Sequence, residues 1–253
     1  MCMSNYRGAR ERAVCVFDSG IGGLGLLAAC AKACPHTSFI YFADNYNVPY
    51  GGRPAEKIKS LALSAFERIA AIEPAAAVVA CNTVTAVCID ELRKKYSFPV
   101  VGIQPAVKQA VAAVPGECLV LATPATVKSR SFADLCERWG QGRVRAAGCE
   151  GLAAYIESHI CDYPDIDVSP LLPAASPCSV VLGCTHYAFA AKCIAGTYSV
   201  PVFDGILGTA DHLRTLLEKE QNICLNNQKI EFLGGDFLKN AKIYSSLFGD
   251  YNK

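Results

Sequence analysis

Two cysteines stand in closely matched settings. Val78-Val79-Ala80-Cys81-Asn82-Thr83 and Val180-Val181-Leu182-Gly183-Cys184-Thr185-His186 both read as an apolar run, a small residue, a cysteine, and then amide or hydroxyl side chains opening a helical pattern. A thiol between a strand's carboxyl end and a helix N-terminus sits among backbone N–H groups, which favour the thiolate. Its pKa is therefore expected below the ordinary value of about 8.5. His186, two residues beyond Cys184, can hold that thiol as a thiolate or shuttle its proton. The two motifs lie about one domain length apart. That spacing suggests two similar lobes, each offering one cysteine at a strand end.

Two further loops carry candidate groups. Phe17-Asp18-Ser19-Gly20-Ile21-Gly22-Gly23 ends a first apolar run with glycines that permit a tight turn and close backbone approach. Such a loop can cradle a carboxylate or phosphate, or it is an ordinary turn with Asp18 or Ser19 capping the next helix. It lacks the G-x-G-x-x-G spacing and a following Walker lysine, which disfavours a nucleotide. Asp44 to Gly52, with Pro49-Tyr50-Gly51-Gly52, is the longest polar loop. It reads as a rigid wall with donors for a small polar ligand, or as plain surface.

The elements that must position these groups alternate. Apolar runs near residues 13–17, 38–42, 76–80, 99–102, 118–122, 144–147, 178–182, 201–203 and 229–233 read as strands. Helical patterns fall between them at 22–33, 55–72, 83–95, 106–113, 127–139, 152–161, 187–195 and 208–220, with a last one at 236–248. Continuous apolar strands alternating with helices imply an α/β fold with buried, mainly parallel sheets. Ligands in such folds bind beyond the carboxyl ends of the strands, where both cysteines fall.

Composition narrows the function classes. A chain that is 52% hydrophobic and 19% charged builds a filled core rather than a disordered segment. The formal net charge of +1 and the lack of a basic block argue against nucleic acid or an anionic membrane as partner. Neither a signal peptide nor a membrane span is expected, so the protein reads as soluble and cytoplasmic. At 253 residues with 14 cysteines, it needs no disulfide staples, and most thiols are expected to be reduced, buried hydrophobes. Cys30 and Cys34 with His36 nearby form the one loose metal-like grouping. No second ligand pair of suitable spacing accompanies them, so no metal is expected.

Together these segments resemble the cofactor-independent aspartate/glutamate racemase family. The likeness is carried by Asp18-Ser19-Gly20-Ile21-Gly22-Gly23, Pro49-Tyr50-Gly51, Ala80-Cys81-Asn82-Thr83 and Leu182-Gly183-Cys184-Thr185-His186-Tyr187. It runs with order and spacing kept from about residue 13 to the last helix. The resemblance implies a glutamate racemase that supplies D-glutamate for peptidoglycan, with neither pyridoxal phosphate nor metal. Cys81 and Cys184 would be the two bases on opposite faces of the α-carbon, assisted by Asp18 and His186 respectively, with Glu157 as auxiliary carboxylate. Ser19, Tyr50, Gly51, Asn82, Thr83, Thr185 and His186, together with Asp18, match substrate-binding positions. The implied architecture is two pseudo-symmetric α/β lobes with the site in the cleft between them. The first lobe is placed at 1–103 plus 208–253 and the second at 104–207, with a homodimer as the expected assembly. Residues 1–12 precede the family's usual start and read as a disordered tail. Val84, Thr85, Ala188 and Phe189 depart from common family residues. An aspartate or other amino-acid racemase therefore stays open beside glutamate, and a thiol-rich binding or redox protein is the reading from a different class.

Overall fold

The structure is a computed structural model that describes residues 13–219 and 228–249. The tail expected at residues 1–12 lies outside them. The chain runs β1 (Val14–Asp18), α1 (Leu24–Ala33), β2 (Phe39–Ala43), α2 (Ala55–Ala70), β3 (Ala76–Val79), α3 (Asn82–Lys95) and β4 (Val100–Gly102). It continues through α4 (Val107–Ala113), β5 (Cys118–Ala122), α5 (Pro124–Val127), α6 (Arg130–Trp139), β6 (Val144–Gly148), α7 (Leu152–Ser158) and β7 (Ser179–Gly183). It ends with α8 (Ala191–Tyr198), β8 (Val202–Phe203), α9 (Ile206–Lys219), β9 (Ile230–Gly234) and α10 (Phe237–Phe248).

The strands form two wholly parallel sheets, in the orders β4-β3-β1-β2-β9 and β6-β5-β7-β8. Reversing the second order gives β8-β7-β5-β6, which repeats β4-β3-β1-β2 strand for strand. The suspected internal repeat is therefore present in the topology, with β9 added at one edge. Cys81 follows β3 and Cys184 follows β7, which are equivalent strands. The inner strands β1, β3, β5 and β7 are buried along their whole length. They lie between helices on both faces and cannot show a one-sided alternation. The edge strand β9 does alternate, with Ile230 and Phe232 buried and Leu233 exposed.

One hydrophobic cluster spans both sheets, joining Leu24, Leu27 and Tyr41 to Ile156, Leu182 and Tyr187. Burying each such side chain contributes roughly 1.5–3 kcal/mol. A second cluster fills the other face of the first sheet and a third that of the second. Cys30 and Cys34 belong to the spanning cluster. Among the described residues no group of three or more His, Cys, Asp or Glu side chains is placed to hold a metal ion, and no helix is long and apolar enough to cross a membrane.

Two helical expectations need correction. The pattern at 127–139 is two helices, because Ser129 accepts from the Phe132 N–H and starts α6 afresh. Thr123 caps α5, with Pro124 at the first helical position, where the missing proline N–H costs nothing. The stretch after Cys184 is a 3-10 helix over Thr185–Ala190, and α8 begins only at Ala191.

Candidate functional site

The loops after β1, β3, β5 and β7 meet between the two sheets. Asp18, the last residue of β1, is fully buried. Its Oδ1 accepts from the Gly20 N–H at 2.8 Å and its Oδ2 accepts from the Thr185 hydroxyl at 3.2 Å. Asp18 therefore does not cap α1, whose N-cap is Gly23 with no side-chain bond. It ties its own loop to the second sheet instead. Burial pushes its carboxyl pKa up, while the charge on His186 and the Gly20 N–H pull the other way.

Cys81 is the N-cap of α3, with its sulfur 3.6 Å from the Ser19 hydroxyl. The expected depression of its pKa does not occur. Burial, then the negative charge of Asp18, push it up to about 12, and the Val84 N–H and the Ser19 hydroxyl only partly offset them. Desolvation of a fully enclosed thiolate outweighs a helix terminus, whose effect is typically under 1 kcal/mol. Cys81 is therefore a thiol at neutral pH. The charge of Cys184 also raises its pKa, so the two sulfurs share one electrostatic site.

Cys184, 7% exposed, has the His186 Nδ1 at 3.9 Å from its sulfur. The other ring nitrogen, Nε2, makes a close ion pair with Glu157 Oε2. Burial works against a charged imidazole. The hydrogen bonds to Cys184 and Glu157, together with their charges, prevail and hold the His186 pKa well above the ordinary histidine range. For Glu157, burial alone would raise the pKa, but His186 and the Ile21 N–H at 3.2 Å bring it below the usual carboxylate value. Glu157 lies on α7, and Ile21 belongs to the β1–α1 loop. The carboxylate thus bridges the two sheets.

This pair makes stability depend on pH. His186 has a raised folded pKa, so its contribution is complete below the unfolded value of about 6.5 and is lost as pH rises through the folded value. Glu157 has a lowered folded pKa, so its contribution is complete above the unfolded value of about 4.3 and is lost as pH falls through the folded one. The difference in Tm between the native protein and Glu157→Gln should be widest between about pH 4.3 and 6.5, narrowing on both sides. A difference that stays flat from pH 4 to 9 would disprove the assignment.

The remaining candidates converge with differing clarity. Ser19, Asn82, Thr83 and Thr185 are all buried at the junction. The Asn82 Nδ2 is buried with no acceptor among the described residues, and a lone buried donor of that kind calls for a partner. Gly51 accepts from the Ala125 N–H at 3.0 Å across the junction, and a Cβ there would stand 2.5 Å from Thr123. Tyr50 is nearly inaccessible, and its hydroxyl already donates to Asp44 at 2.6 Å, so this group braces the wall of the site.

Thr123 was not identified as a site residue from the sequence. Its hydroxyl lies 3.0 Å from Thr83 Oγ1 and 2.9 Å from Thr126 Oγ1, which joins the β3 and β5 loops. A signal was available. In the repeated strand order β5 is the counterpart of β1, so the residue after β5 is the counterpart of the Asp18–Ser19 loop. The Thr-Pro helix start marks the same spot.

This is a closed site with two thiols, one in each half, surrounded by buried donors and one imidazole–carboxylate pair. The Asp/Glu/hydantoin racemase family matches residues 25–160. A glutamate racemase of Clostridium kluyveri is 35% identical over 96% of this chain and 95% of its own. The crystal structure of a glutamate racemase isoform from Bacillus anthracis superposes with a TM-score of 0.82 at 27% identity, covering 95% of each chain. That of Francisella tularensis glutamate racemase in complex with D-glutamate gives 0.80 at 25% identity, again over 95% of each. The chain belongs to the Asp/Glu/hydantoin racemase family.

Proposed function

We propose that the protein is a glutamate racemase interconverting L- and D-glutamate by a two-base mechanism, with Cys81 and Cys184 as the bases and no cofactor. The observation that carries this reading is the placement of one thiol in each half of a pseudo-symmetric closed site, with separate supporting groups. Inversion requires a proton to leave one face of the α-carbon and another to arrive on the opposite face. In one direction Cys184, as thiolate, takes the α-proton while the Cys81 thiol gives its proton to the other face. In the reverse direction the roles exchange, and the Cys81 thiolate then accepts from the Ser19 hydroxyl.

Protonated His186, aligned by Glu157, directs Nδ1–H toward the Cys184 sulfur, which stabilises the thiolate that takes the α-proton and, in the reverse direction, the thiolate left after Cys184 has given its proton. Ser19, Gly51, Asn82, Thr83 and Thr185 supply donors for the substrate carboxylates and for the charge that develops on the α-carboxylate. The relatives' substrate, seen with the Francisella enzyme as D-glutamate, supports glutamate over aspartate. The site residues are almost wholly enclosed, so substrate exchange requires the lobes, taken as 1–103 plus 208–253 and 104–207, to part and close again. A homodimer in the cytoplasm that feeds D-glutamate to peptidoglycan completes the reading.

The test is incubation of purified protein with L- and D-glutamate, each in heavy water without added cofactor. Chirality and α-deuterium are followed together. Interconversion with deuterium uptake from both isomers is expected. If aspartate racemises and glutamate does not, the substrate assignment is wrong. If neither exchanges its α-proton, the thiols are not bases.

A further inference from the structure

The glycine-rich loop after β1 is braced from beneath by one phenol. Tyr41 lies on β2, paired in register with Val16 of the neighbouring strand, and is fully buried. Its hydroxyl donates to the Gly20 carbonyl at 2.7 Å and packs under Gly23, where a Cβ would stand 3.0 Å from it. One oxygen thus holds the start of the Gly20–Gly23 turn by a hydrogen bond and supports its end by contact. Burial, then the charges on Asp18 and Glu157, push the phenol pKa far up. It stays a neutral donor across the working pH range.

What this turn presents upward is the other half of the site. The Ile21 N–H donates to Glu157. The bare Cα positions of Gly20 and Gly22 let the second sheet's groups come into contact. A Cβ on Gly20 would lie 2.5 Å from Glu157 Oε2, and one on Gly22 would lie 2.4 Å from His186 Nδ1. The turn therefore serves as a seat for the Glu157–His186 pair, and not as a phosphate cradle.

We propose that Tyr41 is a positioning residue for racemisation: by clamping the Gly20–Gly23 turn it holds the Ile21 N–H where it orients Glu157, and through Glu157 the His186 that serves Cys184. The proposal rests on the racemase reading above. The phenol touches neither thiol's hydrogen-bond partner directly, so its influence passes through the turn. Other bonds keep the loop folded without it, including Leu24 N–H to Ile21 O and Leu27 N–H to Gly23 O. Its ring, packed 6.0 Å from Phe232, is retained in a phenylalanine.

The test is a double-mutant cycle on the full-length protein, with Tm measured alongside. Tyr41→Phe should lower kcat about tenfold with KM within about threefold, because the buried Gly20 carbonyl loses its donor and the turn its hold. In a Glu157→Ala background the same change should cost less than about twofold, because the carboxylate it orients is gone. A defect from loosened packing alone would instead lower activity by the same factor in both backgrounds. Gly20→Ala displaces Glu157 from the other side with Tyr41 intact. It should show the same non-additivity and serves as the test if Tyr41→Phe fails to fold. Native-like kcat in Tyr41→Phe, or additive losses in the cycle, overturns the proposal. Absence of racemisation in the native protein would instead overturn the reading on which it rests.

Discussion

Cys81→Ala should abolish interconversion of L- and D-glutamate in both directions, and Cys184→Ala should do the same. Each thiol is the base in one direction and the acid in the other, so neither direction has a spare group. Positioned acid–base groups contribute about 10²–10⁴-fold. The loss should fall toward the upper end, because the site is closed and water is a poor substitute. The two variants should differ in what survives. Each keeps a thiol on one face, and so should wash the α-hydrogen out of one isomer into heavy water without inverting it. The favoured isomer should be opposite for the two variants. Measuring α-deuterium and chirality in the same sample separates exchange from inversion. Cys178→Ala, at an exposed position, is the control among the fourteen cysteines and should keep native activity. Activity within tenfold of native in either active-site variant would rule out the two-thiol assignment.

Much of this arrangement was legible in the sequence, because its signals are local or periodic. All nine apolar runs became strands, shifted by at most one residue at either end, where hydrogen bonding rather than hydropathy decides. The matched settings of Cys81 and Cys184 reported a real topological repeat. What was not legible depends on groups far apart in the chain. Glu157 meets Ile21 across 136 positions. Nothing near either residue announces that contact, and Glu157 entered only through the family likeness. The Cys81 pKa went the opposite way from expectation for the same reason. The helix terminus is visible locally, but the burial and the Asp18 charge that outweigh it come from tertiary structure. The 3-10 turn after Cys184 is another such case. Thr185, His186 and Tyr187 are all buried there, and their contacts with Asp18, Glu157 and Cys149 override the helical pattern.

A single methyl group placed at Gly22 should remove most of the activity, though less than removal of a thiol does. The chain at Gly22 does not have a positive φ, so alanine is allowed there by the backbone. The cost is all in the space above it. The new Cβ would stand 2.4 Å from His186 Nδ1, 2.6 Å from Thr185 Oγ1 and 2.7 Å from His186 Cε1. Neither neighbour is a free side-chain end. Thr185 is hydrogen-bonded to Asp18, and His186 is held by Glu157. Relief must come from the two halves standing further apart, which withdraws Cys184 and His186 from the first-lobe groups they face. A displacement near 1 Å costs about 100-fold when reacting groups must be aligned, so kcat/KM of Gly22→Ala should fall by that order. Tm should change by only a few degrees, since the interior of each sheet is untouched. Gly52→Ala, whose Cβ meets nothing within 4 Å, should retain native kinetics in the same loop-rich region. If Gly22→Ala also kept native kcat/KM, the closed contact between the β1–α1 turn and His186 would not be the working state. The glycines of that turn would then need another explanation than the approach of the second lobe's imidazole.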